Sequence, residues 1–312
     1  MKAAAIALAS LLTLSATAAA QPAKPAWCQA LPRPQYKMLH RVPTENAWFE
    51  VYLVAPATFA IYEPHQSEET ISYLILGKKR ALLFDTGMGI GDLKQIVSGL
   101  TSLPVVVLNS HTHDDHVGSN WQFDTIYGMD TDFTRRNAAG SYADAQSEIA
   151  DGEVCGQFPI GFNPKAYRTR PWKISHYIHD GDTIDLGERS LEVIATPGHT
   201  PDAVSLFDPA QRLLFTGDTY YPGPIWLYRP ETDLNAYAHS IDKLSALTSR
   251  VDVVLGAHNA PVAPADILPR LVTAFAAVRA GKATSSPVAP GQVLYTAGSI
   301  SFRMLALNPV VK

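Results

Sequence analysis

The chain has 312 residues, of which 46% belong to the hydrophobic set and 17% are charged, and its formal net charge is −4. This balance is typical of a soluble globular protein with one large domain or two small ones. Nucleic-acid-binding proteins usually carry a basic patch, so we do not expect nucleic acid as a substrate or partner of this mildly acidic chain.

The first twenty residues have the pattern of a secretory signal peptide. Lys2 is followed by an apolar run over residues 3–14 and by small residues that end at Ala20, which predicts cleavage after Ala20. An uncleaved membrane anchor is the alternative, but the run is short for a helix that spans a bilayer. We therefore predict a secreted, periplasmic protein without stable membrane insertion after cleavage.

Two further regions are predicted, an extended N-terminal arm over residues 21–47 and one domain over residues 48–312. The arm is rich in proline and polar residues, which favours an extended connection. An exported chain could join Cys28 of the arm to Cys155 of the domain in a disulfide. Neither cysteine has metal-site spacing, and the sequence leaves their pairing open.

Apolar runs alternate with turns along the domain and predict both strands and helices. Several runs are apolar on both faces, as expected of strands between two layers. The predicted strands cover residues 48–55, 58–62, 71–76, 80–84, 105–108, 191–195, 203–207, 213–216 and 251–255. The predicted helices cover about 91–100, 234–247 and 264–280, and two more begin near Val117 and Thr131. Residues 293–295 and 300–307 are ambiguous and could be strands, and the irregular segment 150–182 is typical of a functional loop.

Potential metal ligands follow four of the apolar strands. The first loop, His111 to His116, contains three imidazoles and two carboxylates, which are the ligands that zinc accepts. The other three loops carry His199, Asp218 and His258, in each case next to a glycine or close behind one. Because strand ends at one edge of a sheet commonly build a site, we expect these loops to converge.

The ordered set His-x-His-x-Asp-His, His, Asp and His resembles that of the metallo-β-lactamase superfamily of binuclear metallohydrolases. The turns at residues 84–87 and 180–182 match the family as well, and the resemblance covers roughly residues 48–280. It implies an α/β fold, a four-layer αββα sandwich of two mixed sheets flanked by helices, with the metal site at one edge.

The resemblance also implies a role for each ligand. His111, His113 and His199 would hold a first metal ion, and Asp218 would bridge it to the second. The ligands of the second ion would be Asp115, His116 and His258. Asp114 occupies a variable position and is left out of the ligand set. Asp85 would orient a ligand or a loop, unless it only caps a turn.

Seven ligands with two carboxylates leave an excess of positive charge on two zinc ions, which favours a bound hydroxide. A metal lowers the pKa of its water from about 15.7 to about 7. A hydroxide that bridges the two ions would then be the nucleophile, oriented by Asp115. Iron or manganese are alternative metals. A surface histidine patch or a closed structural zinc site is the alternative reading of the whole cluster.

Three features bear on the substrate. In broad-spectrum β-lactamases of the family the position of Asp218 is generally not a bridging aspartate. A tyrosine three residues later, Tyr221, resembles the arrangement in quorum-sensing lactonases and would donate a hydrogen bond to the developing oxyanion; a packed aromatic is the alternative. Residues 222–228 together with Phe158, Phe162 and Trp172 could form an apolar wall, with ordinary core or loop packing as the alternative, and His65 would contact the substrate.

These observations predict an exported zinc-dependent hydrolase that attacks the carbonyl of a small ester, lactone or cyclic amide with a metal-bridging hydroxide. The partner is a small-molecule substrate, and the oligomeric state is left open. Three alternatives are a β-lactamase, an iron-dependent oxygenase of sulfur compounds and a non-catalytic zinc-binding module.

Overall fold

The computed structural model describes residues 24–307, so the predicted signal peptide lies outside the described residues. A mixed eight-stranded sheet forms one half of the core, antiparallel from β1 to β5 and parallel from β5 to β8. Its strands, in spatial order, are β1 (His40–Val42), β2 (Glu50–Ala55), β3 (Thr58–Tyr62), β4 (Ile71–Leu76), β5 (Ala81–Phe84), β6 (Val105–Leu108), β7 (Ile126–Met129) and β8 (His176–Ile178).

A mixed six-stranded sheet forms the other half, in the order β15-β14-β12-β11-β10-β9. Strands β12 and β14 pair in parallel and the other neighbours are antiparallel. The strands are β9 (Thr183–Asp185), β10 (Ser190–Ala195), β11 (Val204–Asp208), β12 (Leu213–Gly217), β14 (Val253–Gly256) and β15 (Ala263–Pro264).

The two sheets pack face to face on a shared apolar core. Leu82 and Phe84 of β5 contact this core together with Phe215 of β12. Ala81 and Leu83, which alternate with them, face the opposite side of the first sheet. All four residues of β5 are therefore buried, which explains why such strands are apolar on both faces.

Helices cover the outer faces of both sheets. Helix α1 packs on the first sheet, and α5 and α6 pack on the second. This confirms the predicted αββα sandwich. The helices are α1 (Leu93–Leu100), α2 (Asp114–Val117), α3 (Asp132–Asn137), α4 (Ala143–Glu148), α5 (Leu234–Ser245) and α6 (Ile267–Arg279). No helix among the described residues is long and apolar enough to cross a membrane.

One helix boundary differs from the prediction. The sequence predicts a helix that begins near Val117, whereas α2 ends there and begins at Asp114. Asp114 and Asp115 lie in the first turn of α2, where negative side chains favour a helix because of its dipole. Residues 114–117, which include the end of the ligand loop, therefore form a single helical turn.

A third sheet of four strands was not predicted. Its order is β13-β18-β17-β16, and β13 pairs in parallel with β18. Every residue of β16 except the last is exposed, so that strand lacks the apolar signal of a core strand. The strands are β13 (Pro224–Leu227), β16 (Thr284–Ala289), β17 (Gln292–Ala297) and β18 (Ile300–Leu305).

The described part of the arm is more structured than predicted. Two short 3-10 helices, Trp27–Ala30 and Pro34–Met38, precede β1, which joins the edge of the first sheet. Tyr36 is buried and its ring stacks on Tyr62 at a centroid distance of 4.4 Å. A disulfide joins Cys28 to Cys155 with 5.7 Å between their Cα atoms, so the arm is bound to the middle of the domain.

Candidate metal centre

The four strands that precede the predicted ligands all end at one edge of the sandwich. There the backbone of one sheet bonds directly to the other, since Val204 N–H donates to Ser110 O at 2.7 Å and Ile71 N–H to Ala257 O at 2.7 Å. Gly198 has φ +144°, and a Cβ there would lie 2.3 Å from the Cα of Tyr237. Only glycine fits that position, and it turns the chain so that His199 enters the site.

The structure brings together the three histidines assigned to the first metal ion, here called the first cluster: His111, His113 and His199. The Nδ1 atom of His113 lies 3.0 Å from His111 Nε2 and 3.1 Å from His199 Nε2. Such a spacing of three imidazole nitrogens can hold one metal ion.

The second cluster consists of Asp115, His116 and His258. Asp115 Oδ2 lies 3.1 Å from His116 Nε2 and 3.5 Å from His258 Nε2. One ligand atom of each residue lies within 4.8 Å of the others. The carboxylate distinguishes this cluster from the all-imidazole first cluster.

Asp218 lies between the two clusters. Its Oδ1 atom is 3.0 Å from His258 Nε2 and 3.4 Å from His116 Nε2, while Oδ2 is 3.6 Å from His199 Nε2. Oδ2 also lies 3.1 Å from His258 Nε2, so both oxygens contact the second cluster and Oδ2 reaches the first as well. A carboxylate in this position can bridge two metal ions.

The donor set fits a cation chemically. His116 Nε2 and Asp218 Oδ1 are both buried, and in spite of short contacts with other ligand atoms neither forms a hydrogen bond of acceptable geometry within residues 24–307. A buried polar atom without a partner is costly, and a metal ion at the ligand cluster would satisfy both atoms. Imidazole and carboxylate without thiolate suit zinc and, less selectively, iron or manganese.

The second ring nitrogen of each ligand histidine has an outer partner that fixes the ring. In the first cluster His199 Nδ1 lies 2.8 Å from the carbonyl of Trp226, and His113 Nε2 lies 2.7 Å from Glu231 Oε1. In the second cluster His258 Nδ1 lies 2.7 Å from the Glu68 carbonyl. His111 Nδ1 is 3.1 Å from Ser110 Oγ.

Asp85 is the outer partner of His116. Its Oδ2 atom lies 3.0 Å from His116 Nδ1, and its Oδ1 atom accepts a 2.6 Å hydrogen bond from the backbone of Ser110. This carboxylate is fully buried, and burial raises its pKa against the opposing effect of His116. Asp85 therefore orients both a ligand and the loop that carries it.

The two clusters differ in their electrostatics. Burial and the neighbouring imidazoles hold the pKa of His111 well below its ordinary value, and burial lowers the pKa of His199 to about 4. Burial also opposes the charged form of His258, but Asp218 and Asp115 outweigh it and raise the pKa to about 9. Against the same opposition, Asp115 and Asp85 raise the pKa of His116 well above its ordinary value.

A buried carboxylate, Asp202, connects the loops of the first cluster. Its Oδ2 atom accepts hydrogen bonds from Thr112 Oγ1 at 2.6 Å and Thr134 Oγ1 at 2.8 Å. Its Oδ1 atom accepts one from Thr200 Oγ1 at 2.7 Å. Thr112 stands between His111 and His113 and Thr200 follows His199, so Asp202 fixes both ligand loops relative to each other.

A cavity of about 350 Å³ opens onto the centre, and His113, Asp115, His199 and Asp218 are among the residues that line it. Most of its other charged residues are acidic, with Arg136 and Arg229 opposing them. The acidic residues are Glu68, Asp114, Asp144, Glu148 and Glu231.

The pKa values of two acidic residues in this lining are also raised. Burial first, and then Asp115, raises the pKa of Glu68 to about 8. Burial first, then Glu68 and Asp115, raises that of Glu148 to about 9. These shifts indicate an excess of negative charge that a bound cation would relieve.

Tyr221 is buried close to the centre but its hydroxyl is used elsewhere. The ring lies 4.8 Å from the His258 ring, while the hydroxyl donates to Pro224 O at 2.9 Å and accepts from Trp226 N–H at 3.1 Å. Tyr221 does not line the cavity over the ligands. In this conformation it supports the backbone of β13, and its role toward an oxyanion stays a prediction.

The predicted apolar wall is wrong for three of its members. Phe158, Phe162 and Trp172 pack in the core on the outer side of the first sheet and do not line the cavity, because their segment covers that sheet. Trp226 does line the cavity, with Phe133, which was not predicted. His65 is held by two carbonyls, Cys155 O at 3.2 Å and Ala47 O at 3.1 Å, away from that cavity.

Sequence reasoning missed Glu231, Asp202 and the two carbonyl partners. A carbonyl acceptor leaves no trace in a side-chain pattern, and Glu231 lies in a loop without periodicity. Asp202 offered the only usable signal, since it comes three residues after His199 in a motif that already contained a ligand.

Two relatives whose names state a hydrolase activity are similar to this chain in sequence. Human acyl-coenzyme A thioesterase MBLAC2 is 28% identical over 200 residues, which cover 60% of this chain and 71% of the relative. The hydroxyacylglutathione hydrolase of Mesorhizobium japonicum is 26% identical over 156 residues, or 49% of this chain and 48% of the relative.

Solved structures show the same fold. The DIM-1 metallo-beta-lactamase, in a structure exposed to ceftazidime, superposes with a TM-score of 0.54 at 15% identity, covering 75% of this chain and all of that one. The family model of the metallo-beta-lactamase superfamily matches residues 70–258, which include all seven predicted ligands. The chain therefore belongs to the metallo-beta-lactamase superfamily and is a metal-dependent hydrolase.

Proposed function

We propose that the protein is an exported hydrolase that uses two zinc ions to cleave a small ester, lactone or cyclic amide at its carbonyl. The single observation that carries the proposal is Asp218, whose two oxygens face the two clusters of ligand atoms. A closed structural zinc site would need only four ligands, whereas here seven ligands form two adjacent clusters, and four of them, His113, Asp115, His199 and Asp218, line an open cavity.

When bound, two zinc ions would lower the pKa of water to about 7 and so supply hydroxide near neutral pH. The chain's own residues supply the geometry. The outer partners hold His113 and His199 so that their inner nitrogens face one point. Asp115 and Asp218 carry the negative charge next to that point. Phe133 and Trp226 give the cavity apolar surface against which an acyl group can pack.

A thioester is the second candidate substrate. The relative with the printed activity of an acyl-coenzyme A thioesterase matches 60% of this chain, and a thioester carbonyl is attacked by the same chemistry. The bridging position of Asp218 supports esters, lactones or thioesters over a β-lactam.

The test is a metal-replete activity screen with elemental analysis of the same protein. We expect about two equivalents of zinc, hydrolysis of at least one ester, lactone or thioester, loss of activity with a chelator and recovery with zinc. Full loading without hydrolysis of any acyl substrate would favour a non-catalytic module. Dominant iron with oxygen consumption would overturn the hydrolase in favour of the oxygenase, and exclusive cleavage of penicillins or cephalosporins would make it a β-lactamase.

Export needs a separate measurement. Expression with the native leader and fractionation should place the protein in the periplasm, with Gln21 as its first residue. Retention of Met1 in the cytoplasm would overturn export and leave the hydrolase proposal unaffected.

A further inference from the structure

The third sheet reaches the candidate metal centre through β13. The carbonyl of Trp226 holds the ring of His199, and the register of β13 against β18 places Trp226 opposite Arg303. Strands β16, β17 and β18 lie beyond residues 70–258, the segment that matches the family model. This part of the chain therefore reaches the site from outside the segment that the family model covers.

A second cavity, of about 310 Å³, lies between the third sheet and the second cluster. Its lining includes His258, Tyr221, Arg303 and the apolar side chains of Val288 and Leu294. Trp226 and Glu68 line both this cavity and the one over the ligands. The two cavities therefore share part of their lining, and His258 of the metal centre lines the second one.

Arg303 is the only arginine or lysine among the residues that line the second cavity. Its guanidinium carbon lies 4.8 Å from the centre of the Trp226 ring and 4.9 Å from that of Tyr228. Its Nε–H donates to Gln292 Oε1 at 2.6 Å. Within residues 24–307 no carboxylate forms a salt bridge with Arg303 and its terminal nitrogens donate no hydrogen bond. A stacked, oriented guanidinium with free donors is suited to a planar anion.

We propose that the second cavity is a substrate subsite in which Arg303 binds an anionic group of the acyl substrate. The inference rests on the proposed function, because it places the reacting carbonyl at the metal centre. Carboxylate and phosphate share the chemistry that a guanidinium recognises. Val288 and Leu294 face the same space and suit the carbon chain that joins the anion to the carbonyl.

Glu68 sharpens this assignment. Glu68 lies on the wall shared by the two cavities and offers an anion no positive charge there. The anionic group is therefore restricted to the end of the cavity at Arg303. A substrate that spans both cavities has its anion at one end and its reacting carbonyl at the other.

The kinetic test uses two chromogenic esters that differ by one terminal carboxylate, para-nitrophenyl butyrate and the para-nitrophenyl half-ester of glutaric acid. We expect R303A to lower kcat/KM for the half-ester at least about tenfold more than for the butyrate, mainly through KM. R303K should fall between R303A and the wild type. Equal factors for both esters would overturn the proposal.

Arg270 offers a matched control. It is another arginine that contacts the third sheet, through Ser299, but it lies outside both cavities. R270A should change the two esters by the same factor. Zinc content and thermal unfolding of each variant are measured so that a folding defect is recognised.

Calorimetric binding of glutarate and of inorganic phosphate separates this proposal from the hydrolase. The zinc-loaded wild type should bind at least one of these anions about tenfold more tightly than zinc-loaded R303A, and the preferred anion identifies the group. Equal binding, or no binding to either protein, overturns the subsite. If binding depends on Arg303 but the protein hydrolyses no acyl substrate, the proposed acyl hydrolase is overturned and the anion site is retained.

Discussion

The first and second clusters hold their ligands in opposite ways. In the first cluster three imidazoles face one another without a carboxylate of their own, and burial keeps the pKa of His111 and His199 low. In the second cluster Asp115 and its neighbours raise the pKa of His116 and His258. His111 and His199 therefore stay deprotonated and available to a cation, while the second cluster holds protons that a cation must displace.

One centre thus contains two metal sites whose ligands differ in the protons they must release. Metal ions bind deprotonated ligands and release the protons that those ligands held. The first cluster should take up zinc at lower concentration near neutral pH. The second cluster should depend on Asp218, since this carboxylate lies next to both of its histidines.

The largest effect is expected from H116A. His116 Nε2 faces both Asp115 and Asp218, so its loss should empty the second cluster and leave about one equivalent of zinc. Substitution of an outer partner typically costs up to about 100-fold. Because His116 is itself a predicted ligand, we expect kcat/KM to fall by more than that. Elemental analysis and steady-state kinetics measure both quantities.

H239A is the matched control for H116A, because His239 is an exposed histidine on α5. It should retain both equivalents of zinc and the wild-type rate. Unchanged hydrolysis in H116A would contradict the division of the centre into two clusters.

The ligand set was predictable because its chemistry is concentrated in the sequence. Residues 111–116 carry five potential ligands directly after the buried strand β6. The other apolar strands of the domain predict the fold in the same way. The outer partners were not predictable, because two of them are the carbonyls of Trp226 and Glu68, and any residue has a carbonyl.

The misplaced apolar wall and the unpredicted third sheet have a common physical cause. Aromatic residues such as Phe158 and Phe162 look alike in sequence whether they face a ligand or a core, and here the core contains them. The third sheet was missed because β16 is exposed, and because β18, although Ile300, Phe302 and Met304 are buried in alternation, gives no sign in sequence of its parallel pairing with β13. Both features depend on packing between distant segments.

D202N should produce the next largest effect, and it should act on the first cluster. The amide cannot accept all three threonine hydroxyls as the carboxylate does. We expect the zinc affinity of the first cluster to fall by about 10–100-fold, the range for residues that support ligands. Competition with a chromogenic chelator resolves the two binding steps.

D208N provides the control for D202N, since Asp208 is an equally buried aspartate that pairs with Arg189 in the second sheet. It should lower the thermal unfolding temperature and leave both zinc affinities in place. The assignment of Asp202 fails if D202N weakens the second cluster as much as the first.

The pH dependence of zinc uptake should also separate the clusters. In the metal-free protein His258 has a pKa of about 9 and is protonated at pH 7, so binding must release its proton. Affinity at the second cluster should therefore rise by at least about tenfold per pH unit between pH 6 and 8, and by up to about 100-fold where His116 also holds its proton. The pKa of His199 is about 4, so this histidine is already neutral and adds no such slope to the first cluster. Parallel slopes for both steps in calorimetric titrations would contradict the comparison.

The smallest effect is expected from E231Q, which changes only the outer partner of His113. The amide oxygen can still accept a hydrogen bond from His113 Nε2, so the ring keeps its orientation and loses only the nearby charge. Glu231 is also partly exposed, at 18% of its side chain, so water can replace part of the contact. We expect the affinity of the first cluster to fall by less than about tenfold. D85N should weaken the second cluster by more, because Asp85 is fully buried beside His116 and no water can take its place. If E231Q proves the more damaging of the two, solvent access does not set the strength of these outer contacts.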